Sequence, residues 1–136
     1  MRARFAVISL AATATMLVSV GAGAHHGASV VYDLNQTLNM TGMVTDFQFV
    51  NPHVLVFFEV TAEDGSSVVW SAGLTSPNRL ARSDGWSKET LKPGDHVTIA
   101  GAPARGGAPS LWVGGIVLNG EPLFGTVEGA PVYLPR

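Results

Sequence analysis

The chain has 136 residues, 46% of them hydrophobic and 13% charged, with a formal charge of −2 and no cysteine. That length bounds it to one small domain. The acidic balance argues against a nucleic-acid partner, which selects a basic face, and the missing thiols exclude disulfide staples and thiolate chemistry, so stability must come from an apolar core.

Residues 1–24 carry the three parts of a secretory signal: Arg2 and Arg4, the apolar run from Phe5 to Val20, and small residues with Ala22 and Ala24 three and one places before a cut. The apolar run is shorter than the roughly 20 residues a membrane-spanning helix needs. A cleaved signal and a periplasmic or secreted protein are therefore expected, with no membrane partner afterwards. Cleavage removes two of the eight basic residues and none of the ten acidic ones, taking the charge to −4. A mature chain beginning at His25 offers an α-amine and an imidazole on one residue, two nitrogen donors that can chelate one metal ion. A cut after Ala22 would put His25 third from the terminus, an amine–amide–amide–imidazole arrangement that copper and nickel accept.

Residues 25–36 are a lead-in closed by the turn Asp33-Leu34-Asn35-Gln36. Thr37 to Val50 is a long strand pattern in which Leu38 and Met40 share one parity while Phe47 and Phe49 share the other; the change needs an irregularity, expected at Gly42. His53 to Ala62 is a nearly continuous apolar strand, and Asp64-Gly65 is the tight turn to a partner from Ser67 to Leu74. At Ser76-Pro77-Asn78 serine stands as N-cap with proline at the first helical position, so a short helix follows to about Ser83, ended by Gly85. Trp86 is the expected plug that seats this segment on the core. Lys92-Pro93-Gly94-Asp95 is a turn into a fourth strand, His96 to Ala102, and a Gly/Ala/Pro-rich loop leads to a fifth, Leu111 to Leu118. Residues 119–136 read as a Pro/Gly-rich tail.

Three meandering strands, a helix and two further strands is the order of an all-β, five-stranded OB-like barrel over residues 37–118, whose first strand kinks to serve both sheets. A β-sandwich is the alternative, and it leaves the helix without a role.

Taken together, His25-His26 after the signal, Asn51-Pro52-His53, Ser76-Pro77-Asn78, Gly85-Trp86 and Leu91-Lys92-Pro93-Gly94-Asp95 resemble a family of small exported bacterial proteins classed as a domain of unknown function. The resemblance covers about residues 25–118. It implies an exported, barrel-like domain and brings no established reaction.

The candidate metal ligands are therefore His25, His26 and His53, with copper, or another divalent ion, as the expected cofactor. Against this, His25 and His26 could be solvated terminal residues, and His53, after an Asn-Pro turn, could cap that turn. His96 is expected at the surface. Met40 and Met43 could be soft ligands, but their strand positions favour packing in the core. Trp70, Trp86 and Trp112 are expected in the core also, and Arg79 and Arg82 on a solvated helix face. Tyr32 and Asp33 could support the histidines from behind. A lead-in that doubled back along the first strand would bring His25 opposite Val44 or Thr45, still about 25–30 Å short of His53 along a straight strand.

No nucleophile elbow, HExxH motif or phosphate-binding loop is present. The expected function is a small exported binding protein for copper or another divalent metal; a copper oxidase built on an N-terminal histidine is conceivable and ranks below it. The alternative is a metal-free periplasmic module that holds a protein, peptide or small ligand.

Overall fold

The computed structural model describes residues 27–128. Eight elements follow in order: α1 (Ala28–Val31), β1 (Leu38–Gln48), β2 (Leu55–Thr61), β3 (Ser67–Gly73), α2 (Pro77–Asp84), β4 (His96–Pro103), β5 (Ser110–Leu118) and β6 (Glu121–Gly125). β1 pairs antiparallel with both β2 and β4, β2 with β3, and β4 with β5. A short parallel ladder, Ser71–Gly73 against Ser110–Trp112, joins β3 to β5 and closes a five-stranded barrel. The fold is the OB-like barrel, with α2 between β3 and β4 as expected.

The barrel closes around the apolar residues that its strands turn inward, alternating in β2 and nearly continuous in β4. Val56 and Phe58 of β2 are fully buried, as are Ile99 of β4 and Leu111 and Ile116 of β5. They meet Val44, Leu80 and Leu91 in one core. α2 is capped at its start by Ser76, whose Oγ accepts from the Arg79 N–H, and is ended by Gly85 in the left-handed region at φ 69°. It contributes Leu80 to the core, and the following Trp86, 4% exposed, packs edge-on to Phe47 and Phe124. Trp86 is the expected plug. Arg79 and Arg82 are exposed.

The first strand changes parity as expected, but the irregularity lies elsewhere. The register against β2 shifts between Val44 and Asp46, so Thr45 is the extra residue and the inward set passes from Met40, Gly42 and Val44 to Phe47 and Phe49. Gly42 has a different duty: a Cβ there would collide with the Glu59 carbonyl and the Phe58 ring. Glycine lets β1 press against β2 where the barrel curls.

Two further departures concern the ends. Residues 121–125, read as part of the tail, form β6 and extend the sheet beyond β5. Gly115 permits this, since a Cβ there would meet the Thr126 backbone. The lead-in does not run back along β1. The turn at Asp33 forms, with the Gln36 N–H donating to the Asp33 carbonyl at 3.0 Å, but the preceding residues pair with the β4–β5 end of the barrel. Tyr32 bridges Ala104, the Asp33 N–H donates to the Pro103 carbonyl at 2.9 Å, and the Arg105 N–H donates to the Val31 carbonyl at 2.9 Å. An ion pair from Arg105 to Asp33 at 3.7 Å fastens the same corner. β1 itself is paired with β4 from Leu38 to Met43 and with β2 from Met43 to Gln48.

Candidate functional site

His53 is delivered to the barrel mouth by the Asn51-Pro52 turn and stands two residues ahead of β2. Val54 behind it is fully buried, and the chain is held on both sides: the Val54 N–H donates to the Thr75 carbonyl at 3.1 Å and the Leu74 N–H to the Val54 carbonyl at 2.9 Å. The imidazole is thereby set above the end of β3. Its Nδ1 lies 3.1 Å from the Leu74 carbonyl oxygen. A carbonyl only accepts, so Nδ1 carries the proton and, in the neutral ring, Nε2 keeps its lone pair. A histidine held this way, one ring nitrogen donating to a backbone carbonyl, is oriented for ligation through the other.

The ring packs edge-on against Trp112, with centroids 5.5 Å apart and planes at 87°. The Tyr32 ring lies 6.0 Å from the same indole, centroid to centroid, tilted by 39°. Its hydroxyl is tied to Ser110 Oγ at 3.1 Å, and Ser110 Oγ in turn accepts from Ser71 Oγ at 3.1 Å. These bonds straddle the parallel β3–β5 ladder, so the closure of the barrel and the placing of the aromatic wall are one event. Between α1 and this wall lies a cleft of about 340 Å³ lined by Gly27, Ala28, Val31, Tyr32, His53, Leu55, Gly73 and Trp112.

Of the expected ligands, His53 is a wall of this cleft, whereas His25 and His26 lie outside the described residues. Gly27, the next residue in the chain, is itself part of the cleft wall. Among the described residues no three of His, Asp and Glu come together as a metal-holding group. Tyr32 faces the cleft, but Asp33 is engaged with Arg105 and with its own turn, where its carboxylate accepts from the Asn35 N–H and Gln36 Nε2. His96 lies on the barrel wall, half-exposed, and is no part of the cleft. Met40 packs against the core, but Met43, expected there too, is 44% exposed.

Sequence reading missed two members of the site, the Leu74 carbonyl and the Trp112 face. Leu74 is far from His53 in the chain and Trp112 farther still; both reach it only through strand pairing, and no local pattern announces that contact. A second cleft, about 370 Å³, lies on the far side of Trp112 between α2 and β6. At its mouth the Ser83 hydroxyl lies 2.7 Å from the Arg79 carbonyl oxygen and 2.6 Å from Asp84 Oδ2, two acceptors between which its single proton is shared.

An OB-like barrel with a histidine at its mouth, sharing a small aromatic cleft with the incoming N-terminal segment, is the class of protein that fold and site define. The chain belongs to DUF6152, a family of unknown function, whose sequence model matches residues 13–111. No curated protein matches it.

Proposed function

We propose that the protein is exported and binds copper, or another divalent metal ion, at a mature N-terminus beginning with His25. The α-amine and imidazole of His25 chelate the ion, His26 is the neighbouring donor, and His53 completes the set through Nε2. The observation that carries this reading is that Gly27 and His53 line one cleft. Consecutive Cα atoms are about 3.8 Å apart across a trans peptide, so covalent geometry alone holds His26 within one such step, and His25 within two, of a residue in the cleft wall. The lead-in thus supplies the approach to His53 that a hairpin along β1 would have denied. A nitrogen-only donor set suits copper and nickel better than calcium or magnesium.

The test uses protein whose first residue is His25. It should bind Cu(II) with a spin-resonance spectrum showing several nitrogen ligands. The same protein with a residue or tag ahead of His25 should bind more weakly, having lost the amine. Equal affinity in the two forms, or a secreted protein whose mass places its start beyond His26, would remove the site. Because ligand nitrogens must shed their protons to coordinate, apparent affinity should also fall as pH drops from about 8 to about 5; a flat profile would point to other donors.

A further inference from the structure

Remote from the cleft, the outer wall of the barrel brings three metal-capable side chains into one row. Successive side chains of a strand face opposite ways, and Met40 and Val44 of β1 point into the core, so Met43 points out. Its partner across the ladder in β2 is Glu59, and its partner in β4 is His96. Directly opposed residues of antiparallel strands hold their Cβ atoms about 4.5–5.5 Å apart on a shared face. A carboxylate, a thioether and an imidazole therefore stand side by side, with the thioether central.

The row is firmly registered. The β1–β4 ladder is regular from Leu38 to Met43, and the shift against β2 begins only after Val44. His96 is pinned at the backbone, its N–H donating to Asn119 Oδ1 at 3.0 Å and its carbonyl accepting from the Asn119 N–H at 2.8 Å. Met43 is 44% exposed and Glu59 is exposed, so an ion in solution can reach both.

We propose that this row is a soft-metal site, in which Met43 Sδ and a ring nitrogen of His96 bind one monovalent cation of the copper and silver class, with the Glu59 carboxylate offsetting its charge. Thioethers select Cu(I) over hard ions, and imidazole suits copper as well. The site is chemically distinct from the nitrogen-only set at the barrel mouth and stands whether or not that set binds metal.

Silver(I), which does not change oxidation state here, is the probe. Titrated into protein with ¹³C-methyl methionine, it should shift the Met43 methyl and the His96 ring resonances together and saturably, while the core-packed Met40 methyl stays in place as internal reference. Met43→Leu, a near-isosteric change at an exposed position, should weaken silver binding at His96 at least tenfold with the amide spectrum otherwise unchanged, and His96→Gln should do the same to the signal at Met43. The proposal is overturned if the Met43 methyl does not move while other groups do, if Met43→Leu leaves the His96 titration as it was, or if Mg²⁺ produces the same shifts as Ag⁺.

Discussion

His53 and His96 each stand at the head of a barrel strand behind a proline-containing turn, yet the fold gives them opposite surroundings. His53 is at the mouth, where the lead-in, the end of β3 and the start of β5 converge; its ring donates to the Leu74 carbonyl and rests edge-on against Trp112. His96 is on the wall, in a cross-strand row with Met43. The local sequence of the two is similar. What separates them is the parallel β3–β5 ladder, which raises an aromatic wall beside His53, whereas His96 stands in the β1–β4 ladder opposite Met43. A strand-opening histidine gains a pocket only where chain segments distant in sequence close over it.

The strongest way to test that difference is to remove what the two regions share. Phe58 is fully buried in β2, whose N-terminal end leads from His53 and whose Glu59 adjoins the Met43 row. Phe58→Ala should cost about 3–5 kcal/mol in denaturant unfolding and loosen both regions together. A loss under about 1 kcal/mol would mean that mouth and wall do not share one core.

A second change should separate them. In Gly42→Ala the new methyl meets the Glu59 carbonyl and the Phe58 ring, so β1 must move away from β2. Overpacking of this kind costs about 1–3 kcal/mol. Amide shifts should concentrate at Met43, Glu59 and Val44 and leave those of His53 and Leu74 nearly unmoved. Shifts of equal size at the mouth would show that the two regions are mechanically coupled.

Much of the wall was legible in the sequence and little of the mouth. The nearly continuous apolar run of β2, the Ser76 cap, the Gly85 stop and the Trp86 plug are local signals, and each led to its element. The parity change in β1 was legible too, but not its place: glycine is the familiar mark of an irregularity, whereas the extra residue is Thr45, and Gly42 serves a close strand contact. β6 was missed because Glu121-Pro122 opens it and the run is only five residues long. Its strand character comes from pairing with β5, not from its own composition. Met43 was misread as core because the alternation around it cannot be phased until the bulge is located. At the mouth, Leu74 and Trp112 meet His53, and Tyr32 joins them against Trp112, through pairings that no local pattern encodes.

Smaller in energy, His53→Ala bears directly on the proposed metal set. It should weaken Cu(II) binding at least tenfold, equivalent to about 1.4 kcal/mol, while the melting temperature of the metal-free protein changes little. Silver binding at Met43 should be untouched. Unchanged copper affinity together with a destabilised metal-free fold would make His53 a cap for its turn and leave the terminal residues to bind alone.

The smallest effect belongs to the β2–β3 hairpin tip, away from both histidines. Asp64 Oδ1 accepts from Ser66 Oγ at 2.6 Å and from the Ser66 N–H at 2.9 Å. The Ser66 hydroxyl first, and its N–H second, hold the Asp64 carboxyl below its ordinary value of 3.8. Because the folded value is lowered, the contribution to stability is present above the unfolded value and is lost as pH falls through the folded one, in the acid range below about 4. The carboxylate is fully exposed, so solvent screens the interaction and the hairpin, not the whole barrel, should report it. Ser66→Ala removes the larger of the two donors, and the Asp64 carboxyl carbon, followed by NMR, should then titrate closer to its ordinary value. The His53 and Met43 resonances should not change with this substitution. An unaltered Asp64 midpoint in Ser66→Ala would assign the lowering to the backbone N–H alone.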